Sequence, residues 1–587
     1  MADERPQLTD KPLKWYQGLS RTQWFVLIVA TMGWMFDTMD QQFFNLGRGP
    51  AMKQVLGVDP VVLGLEELKA QDSKKEYTVA DLDALVTAGV ITADQRERAL
   101  VDHNGQKKKI ATRKDVAKAI GEDILAPRYV EFGHEDLVLK EITDDSFDNE
   151  ALDDLVTQAV ISAESVDKVL AGSTGGTVSR DDLARVHGKE IAKAKADEAG
   201  DHSTFIFVMG WAIGGLFFGW VGDSIGRAKT MALTILTYAL FTGLNGLAQT
   251  EFQFNVLRFL TALGVGGEFA AGAALVAEYM PDRSRPAALG ALQALSALGN
   301  MTGAALAYFI MPVLGWRWLF AVGAVPGILA VFVFLGLKEP EKWKEARAKW
   351  LQEKATGVTK KLSSYGGLFQ DPRWRRRAIV GLLLGVVGVG GLWGVGFFTP
   401  ELNRSIAKTY SEEAKERLVA VAFFIQQLGA FFGIWAYTFL ALRMGRKPAF
   451  GIFFVLAFLL VSYTFLCADT ITEAYVLAPV VGFVTLGPFG GYAIYFPELF
   501  PTRLRATGTG FCYNVGRFLA ALVPSFKGKL KGLFMSGWLV LPFLPSAAGD
   551  AELAIRYGSF VMIFIYLFGL IVLIFAPETK GQPLPED

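Results

Sequence analysis

The sequence predicts an all-α integral membrane protein. It reads as twelve transmembrane helices in two pseudo-symmetric six-helix bundles, plus a soluble, mostly helical insertion of two repeats. Three observations predict this. Apolar runs of about 20 residues, the length that spans a bilayer, recur through most of the chain. Glu278-Tyr-Met-Pro281-Asp-Arg283-Ser-Arg285 is echoed 220 positions later by Glu498-Leu-Phe-Pro501-Thr-Arg503-Leu-Arg505, and Gly226-Arg227-Ala-Lys229 is echoed by Gly445-Arg446-Lys447 at nearly the same offset. So long a period exceeds any solenoid unit and marks a duplicated bundle. Duplicated membrane bundles place a solute site between their halves. Finally, residues 57–202 hold no run long enough to span.

The runs fall at 24–46, 205–221, 230–249, 252–279, 286–313, 317–337, 378–400, 419–441, 448–467, 473–497, 506–525 and 553–576. The first belongs to segment 1–56. Five lie in 203–337 and complete the N-terminal bundle. A basic linker covers 338–377, and 378–587 holds the C-terminal bundle and tail. The net charge of zero is a cancellation: residues 57–202 carry 31 acidic and 19 basic residues, so the remainder is 12 positive. The linker alone has 12 basic against 5 acidic residues, ending Arg373-Trp-Arg375-Arg376-Arg377. Lys11, Lys14 and Arg21, and the loop bearing Arg227 and Lys229, fall on the same side in a twelve-span count. Basic short loops stay in the cytoplasm. Both termini are expected there, in a plasma (inner) membrane, with 57–202 extracytoplasmic. The first apolar run has the length of a span, so no cleaved signal peptide is expected.

The insertion is itself duplicated. Leu82-Asp83-Ala-Leu85-Val86-Thr87 and Val90-Ile91 recur as Leu152-Asp153-Asp-Leu155-Val156-Thr157 and Val160-Ile161, so repeats are expected at about 77–125 and 147–195. Thr92-Ala-Asp-Gln95 reads as a capping box, and Thr112 and Ser179 precede acidic first turns. Extended pieces are expected near 128–139. All four histidines, His103, His134, His187 and His202, lie here, but their spacing fits no metal-ligand pattern. Cys467 and Cys512 are the only cysteines, so the insertion folds without disulfides. It reads as a module for an unknown partner or a decoration.

The loop Gly219-Trp-Val-Gly222-Asp223-Ser-Ile-Gly226-Arg227-Ala-Lys229 resembles the signature loop of the major facilitator superfamily. Arg258-Phe-Leu-Thr-Ala-Leu-Gly264-Val-Gly266-Gly267 is similar to the arginine-glycine pattern of its sugar-porter and metabolite:proton symporter branches. Pro497-Glu498-Leu-Phe-Pro501-Thr-Arg503-Leu-Arg505 and Pro577-Glu578-Thr-Lys-Gly581 point the same way. The resemblance covers everything except the insertion and implies alternating access between two rocking halves, and a monomer. Gly219, Asp223, Gly226, Arg227, Glu278, Arg285, Gly445, Arg446, Glu498 and Arg505 are the gating residues it implies. Leu442 replaces the acid of the second loop, so the second latch is expected to be degenerate.

Charges inside spans are the next candidates, since each costs roughly 2.5–3.5 kcal/mol to insert. Asp37 and Asp40 share a face of the first span. The resemblance pairs Asp37 with Arg258. Arginine keeps its proton, so any switch runs through the carboxylate: ionised Asp37 holds Arg258, and protonated Asp37 releases it. A static pair or direct contact with solute are the other readings. Glu268 lies ten residues beyond Arg258, about 15 Å along the helix, too far to pair with it. The proton-coupling set is Asp37, Asp40, Arg258 and Glu268, and Arg517 is a candidate partner for an anionic solute.

Polar and aromatic residues on apolar helices suggest the solute pocket: Gln41, Gln293, Asn300, Trp393, Gln426, Gln427, Tyr437, Tyr492, Tyr495 and Asn514. The seventh span lacks the Gln-Gln pair of sugar porters, which disfavours a hexose. The expected function is secondary active transport, proton-coupled symport of a small organic solute with an organic acid favoured. A sugar or polyol carrier is the alternative, and a transporter-like receptor or sensor is the alternative of another class. No P-loop, nucleophile or nucleic-acid motif is present, so an enzyme and a nucleic-acid partner are not expected. No cofactor is expected beyond a coupling proton.

Overall fold

The computed structural model describes residues 14–57, 178–355, 365–520, 523–542 and 544–586, with 76–87, 91–101, 107–112, 146–147 and shorter pieces between 59 and 170. The chain forms two compact units: Met1–Ala51 with Gly200–Asp587, and Met52–Ala199.

Helix α1, Arg21–Val55, is followed by β1 (Glu76–Thr78), α2 (Val79–Thr87), α3 (Ala93–Ala99), β2 (Ile110–Thr112), β3 (Ser146–Phe147) and β4 (Val178–Ser179). In the smaller unit, β1 pairs antiparallel with β2, Tyr77 opposite Ala111. Likewise β3 pairs with β4, Phe147 opposite Val178. The capping box at Thr92 and Gln95 forms as read. Thr112 bonds Asp115, and Ser179 bonds Asp182. One core gathers Leu82, Ile91, Ala111 and Val116, and a second gathers Leu152, Ile161, Val178 and Leu183. These are equivalent positions of the two expected repeats. The expected strand near 128–139 lies outside the described residues, as do His103 and His134. Among the described residues, no cluster of His, Cys, Asp and Glu is arranged to hold a metal.

The larger unit resumes at Gly200, within α4 (Arg180–Ile225), and continues with α5 (Arg227–Asn245), α6 (Glu251–Tyr279), α7 (Arg285–Val322), α8 (Gly327–Gly336), α9 (Glu341–Ala355) and α10 (Tyr365–Gln370). Then come α11 (Pro372–Ile406), α12 (Glu412–Met444), α13 (Arg446–Cys467), α14 (Ile471–Leu499), a short 3₁₀ turn at Thr502–Leu504, α15 (Arg505–Asn514), α16 (Gly516–Ala520), α17 (Val523–Met535), α18 (Ala551–Ile563) and α19 (Ile565–Phe575). Side chains stop and start these helices. Thr250 caps α6, Ser411 caps α12, Asp371 with Pro372 starts α11, and Thr470 with Glu473 closes a capping box on α14. Gly226 and Gly445 turn the chain at φ of 119° and 107°, conformations that a side chain would strain.

Among the described residues, seven helices are long and apolar enough to cross a membrane: Asp182–Ile225, Glu251–Tyr279, Arg285–Gly336, Arg417–Met444, Arg446–Cys467, Ile471–Leu499 and Ala551–Phe575. Arg285–Gly336 holds two of the expected runs, divided at Gly315, whose φ of 78° breaks the helix. The expected runs at 24–46, 230–249, 378–400 and 506–525 lie on α1, α5, α11 and the series α15–α17.

The first half, up to α8, meets the second half along two seams. In one, α6 touches α15, and in the other α7 touches α12 and α14. Glycine permits the closest approach. A Cβ on Gly215 would lie 2.0 Å from Asn514 Nδ2, and one on Gly219 would lie 2.9 Å from the Ala506 carbonyl.

Candidate functional site

One end of the two halves is clamped by buried charge. Asp223, at the end of α4, accepts from the Ala506 N–H (3.1 Å), the Thr507 N–H (2.8 Å) and the Thr507 hydroxyl (2.6 Å) in the other half. These N–H groups open α15, where a carboxylate suits the helix dipole. Arg227 pairs with Asp223 at 2.9 Å and Glu278 at 3.1 Å, and Arg505 from the second half reaches Glu278 at 2.8 Å. All four side chains are fully buried. Arg227 also donates to the Thr502 carbonyl. Arg285 donates to the Ala277 carbonyl and Arg505 to the Pro497 carbonyl, the same local brace in each half.

The second loop is less degenerate than the sequence suggested. Arg446 forms a two-pronged pair with both oxygens of Glu498, at 2.6 and 3.0 Å, whereas Arg227 brings Nε and Nη2 to the single Oε1 of Glu278, at 3.3 and 3.1 Å. Glu339 accepts the N–H groups that open α5, and Glu578 accepts those that open α13. The clasp across the halves is not repeated among the described contacts: Leu442 stands where Asp223 does in the first loop, and Arg285 pairs with Asp282, not with Glu498. Glu578 lies outside the spans. Partial burial pushes its carboxyl up, but N–H donors from Arg446, Lys580, Lys447 and Thr579 outweigh this and hold it below the usual range.

Midway along α1 the sequence-based pairing needs correction. Arg258 pairs with Asp40, at 3.5 Å, and not with Asp37. Its guanidinium also donates to Thr242 and Thr261, both at 3.2 Å, and faces the rings of Phe320, Phe44 and Phe207. The cause is antiparallel packing. Moving along α1 from Gly33 to Asp40 corresponds to moving back along α6 from Glu268 to Arg258. Glu268 sits against Gly33, where an added Cβ would lie 2.5 Å from its Oε1. Both oxygens of Asp37 and both of Glu268 are buried without a hydrogen-bond partner in the protein.

Arg517 lies on α16, in the second half. It donates to the Tyr513 carbonyl (2.7 Å) and Asn514 Oδ1 (3.1 Å), and it lies over the rings of Trp211 (4.0 Å) and Tyr513 (4.4 Å). Tyr513 stacks on Phe269 at 4.0 Å, and Trp34 approaches both rings.

The expected pocket residues divide. Asn300 and Gln427 bond each other at 3.0 Å across the second seam, with Gln426 buried beside them. Gln293 is buried with an unpaired carbonyl oxygen, and Tyr492 with an unpaired hydroxyl. Gln41 is half-buried on α1. Three expectations are corrected. Tyr495 donates to the Pro577 carbonyl and Tyr437 to the Arg446 carbonyl, which places both at the clamped end. Asn514 is occupied between the Gly266 and Gly510 carbonyls and Arg517. The side chain of Trp393 lies outside the described residues.

The family model of the Major Facilitator Superfamily matches residues 193–524. The chain belongs to this superfamily. It is therefore a multi-pass membrane protein and a secondary transporter of small molecules, not an enzyme. Similar proteins include the "Cis,cis-muconate transport protein" of Acinetobacter baylyi, 35% identical over 57% of this chain and 78% of that one. The "Probable 4-methylmuconolactone transporter" of Cupriavidus pinatubonensis is 32% identical over 63% and 79%. The "Sialic acid transporter NanX" of Escherichia coli is 26% identical over 59% and 81%.

Several residues of this transporter's site escaped the sequence reading. Trp211 and Tyr513, which Arg517 overlies, and Trp34 and Phe269, which approach Tyr513, look like ordinary core aromatics in a string. Glu339 had a signal: Lys338-Glu339-Pro340 closes the first half as Pro577-Glu578 closes the second.

Proposed function

We propose that this transporter is a proton-coupled symporter of small organic acids, working by alternating access. One observation carries the reading: Asp37 on α1 and Glu268 on α6 are buried without hydrogen-bond partners, and Trp34 and Phe269 from the same two helices pack on Tyr513, the ring that the buried cation Arg517 overlies. An unpaired carboxylate is costly in such surroundings, and taking up a proton removes the charge. The guanidinium offers a carboxylate a permanent, aromatic-flanked partner. Muconate and methylmuconolactone, named for two relatives, suit that chemistry. Asp37 and Glu268 are the proposed proton carriers, and Arg517, Gln293 and Tyr492 the proposed solute contacts. Asp40 and Arg258 form a fixed pair that holds α1 against α6.

The proposed topology has twelve spans with both termini cytoplasmic. The acidic segment 57–202 is outside, the basic linker 338–377 inside, and the protein sits in the inner membrane as a monomer. The clamp of Asp223, Arg227, Glu278 and Arg505 then closes the cytoplasmic side, and its rupture opens the site inward.

Solute-evoked proton movement in proteoliposomes tests the reading. A screen covers cis,cis-muconate, other carboxylates, sugars and nucleobases. A carboxylate is expected to acidify the lumen with the wild type and not with Asp37→Asn. Solute movement without protons, or movement of sugars alone, refutes it.

A further inference from the structure

We infer that the loop between α17 and α18 is a membrane foot: Trp538 and Val540 at its tip enter the bilayer interface, and Lys529 and Lys531 of α17 hold anionic phospholipid headgroups beside them.

The loop is an ordered unit. Its neck is closed by the Gly549 N–H on the Met535 carbonyl at 2.9 Å, and Gly537 and Gly549 turn the chain at φ of 72° and 75°. The Leu539 N–H reaches the Leu533 carbonyl at 3.1 Å and folds the first limb back on α17. Inside, Phe534, Ala547, Ala554 and Tyr557 form a small core against which Leu539, Leu541 and Leu544 pack. Between these inward leucines, Trp538 is 77% exposed and Val540 53% exposed, and Pro542 and Pro545 are exposed too. The segment thus alternates in and out, yet both of its faces are apolar. An outer face turned to water alternates with polar residues instead. Contiguous exposed apolar surface marks contact with a membrane or a partner.

Position selects the membrane. The loop's small core stands on the ends of two spans: Leu466 closes Arg446–Cys467, and Ala551–Phe575 begins two residues beyond the neck glycine. A compact loop on span ends lies at the bilayer surface, the layer that an amphipathic tryptophan prefers. Charge selects the lipid. The sequence from 523 to 549 holds three lysines and no acid. Lys529 is exposed and Lys531 half-buried on α17, which also exposes Phe526 and Met535. A lysine stem lies along apolar surface while its ammonium reaches outward. Lysines set among exposed apolar side chains are the pattern of binding to anionic lipid.

Quenching by nitroxide lipids tests this on the purified full chain, in nanodiscs of equal phosphatidylglycerol and phosphatidylcholine. An environment-sensitive NBD label is placed at Trp538→Cys, in a background without Cys467 and Cys512, and one lipid at a time carries the nitroxide. The label is expected to emit to the blue, to be shielded from aqueous iodide, and to be quenched more by the nitroxide phosphatidylglycerol than by the nitroxide phosphatidylcholine. Lys529→Gln with Lys531→Gln is expected to keep the blue emission and to lose about fivefold in lipid preference per lysine. Val540→Cys, which keeps Trp538, is expected to repeat the pattern. A label at either position that iodide reaches and lipid does not overturns the inference. A label that neither reaches places the tip against protein, such as a second copy, and overturns it as well. Equal quenching by the two lipids with both lysines present overturns the anionic assignment.

Discussion

Asp223→Asn removes one charge without changing size, at the point where one carboxylate joins the two halves. Asp223 accepts three hydrogen bonds from Ala506 and Thr507 and pairs with Arg227. The asparagine Nδ2 cannot accept, so one of the two N–H groups at the start of α15 loses its acceptor, a loss of about 1–3 kcal/mol. The remaining bonds become neutral, each weaker by about 1 kcal/mol. Arg227 keeps Glu278, so the first half stays braced. The net cost falls on the clamped arrangement alone and comes to about 3 kcal/mol, roughly a hundredfold shift toward separated ends. Spin labels at Lys229→Cys and Arg443→Cys, in a background without Cys467 and Cys512, report the separation by pulsed dipolar spectroscopy. A population at longer distance is expected in Asp223→Asn. An unchanged distance distribution refutes the assignment of the clamp to this carboxylate.

Asp40→Asn leaves Arg258 buried without a counter-ion and is expected to cost about 3–5 kcal/mol, read as a lower melting temperature. Asp37→Asn is expected to leave stability unchanged or raise it, and the reverse order contradicts the pairing described here. Gly33→Ala sets a methyl 2.5 Å from Glu268 Oε1 and is expected to abolish uptake while the protein remains monodisperse; wild-type uptake counts against a role for that carboxyl. Glu578→Ala removes the cap of α13 and is expected to cost about 1 kcal/mol. Because Glu578 is held below its ordinary range, its contribution is present above that range and lost as pH falls through its lowered value. The melting-temperature gap between wild type and Glu578→Ala is therefore expected to close in acid. A gap that widens there contradicts the sign.

Patterns that local physics imposes were legible in the sequence. The echo at 220 positions placed Arg227 with Glu278 and Arg446 with Glu498 in equivalent loops, and the capping box at Thr92 formed as written. The cores of the smaller unit include the leucines and isoleucines that the sequence pairs at a period of 70, Leu82 with Leu152 and Ile91 with Ile161. Partner choice deep in the bundle was less legible. Asp37 and Asp40 lie on one helix face, and only the depth at which α6 passes decides which of them meets Arg258. The antiparallel direction of α1 and α6 contained that answer, since Asp40 lies toward the end where α6 begins. The polar candidates Tyr495 and Tyr437 failed for a related reason. A hydroxyl on an apolar helix satisfies itself on the nearest free carbonyl, and their nearest ones are at the helix turns.

Leu442 gives the molecule a direction. Each half carries its own arginine–glutamate lashing and its own glutamate cap, so either moves as a stiff lever without unpicking its loops. Had the duplication kept an acid at 442, two clasps would bind the halves and both would have to let go together. With one clasp, a handful of bonds around Asp223 and Glu278 sets the bias between the two ends of the cycle. In the proposed cycle a single carboxylate acts as the trim weight on the rocker, and a change at position 223 or 442 is expected to reset its balance without touching the proposed solute contacts.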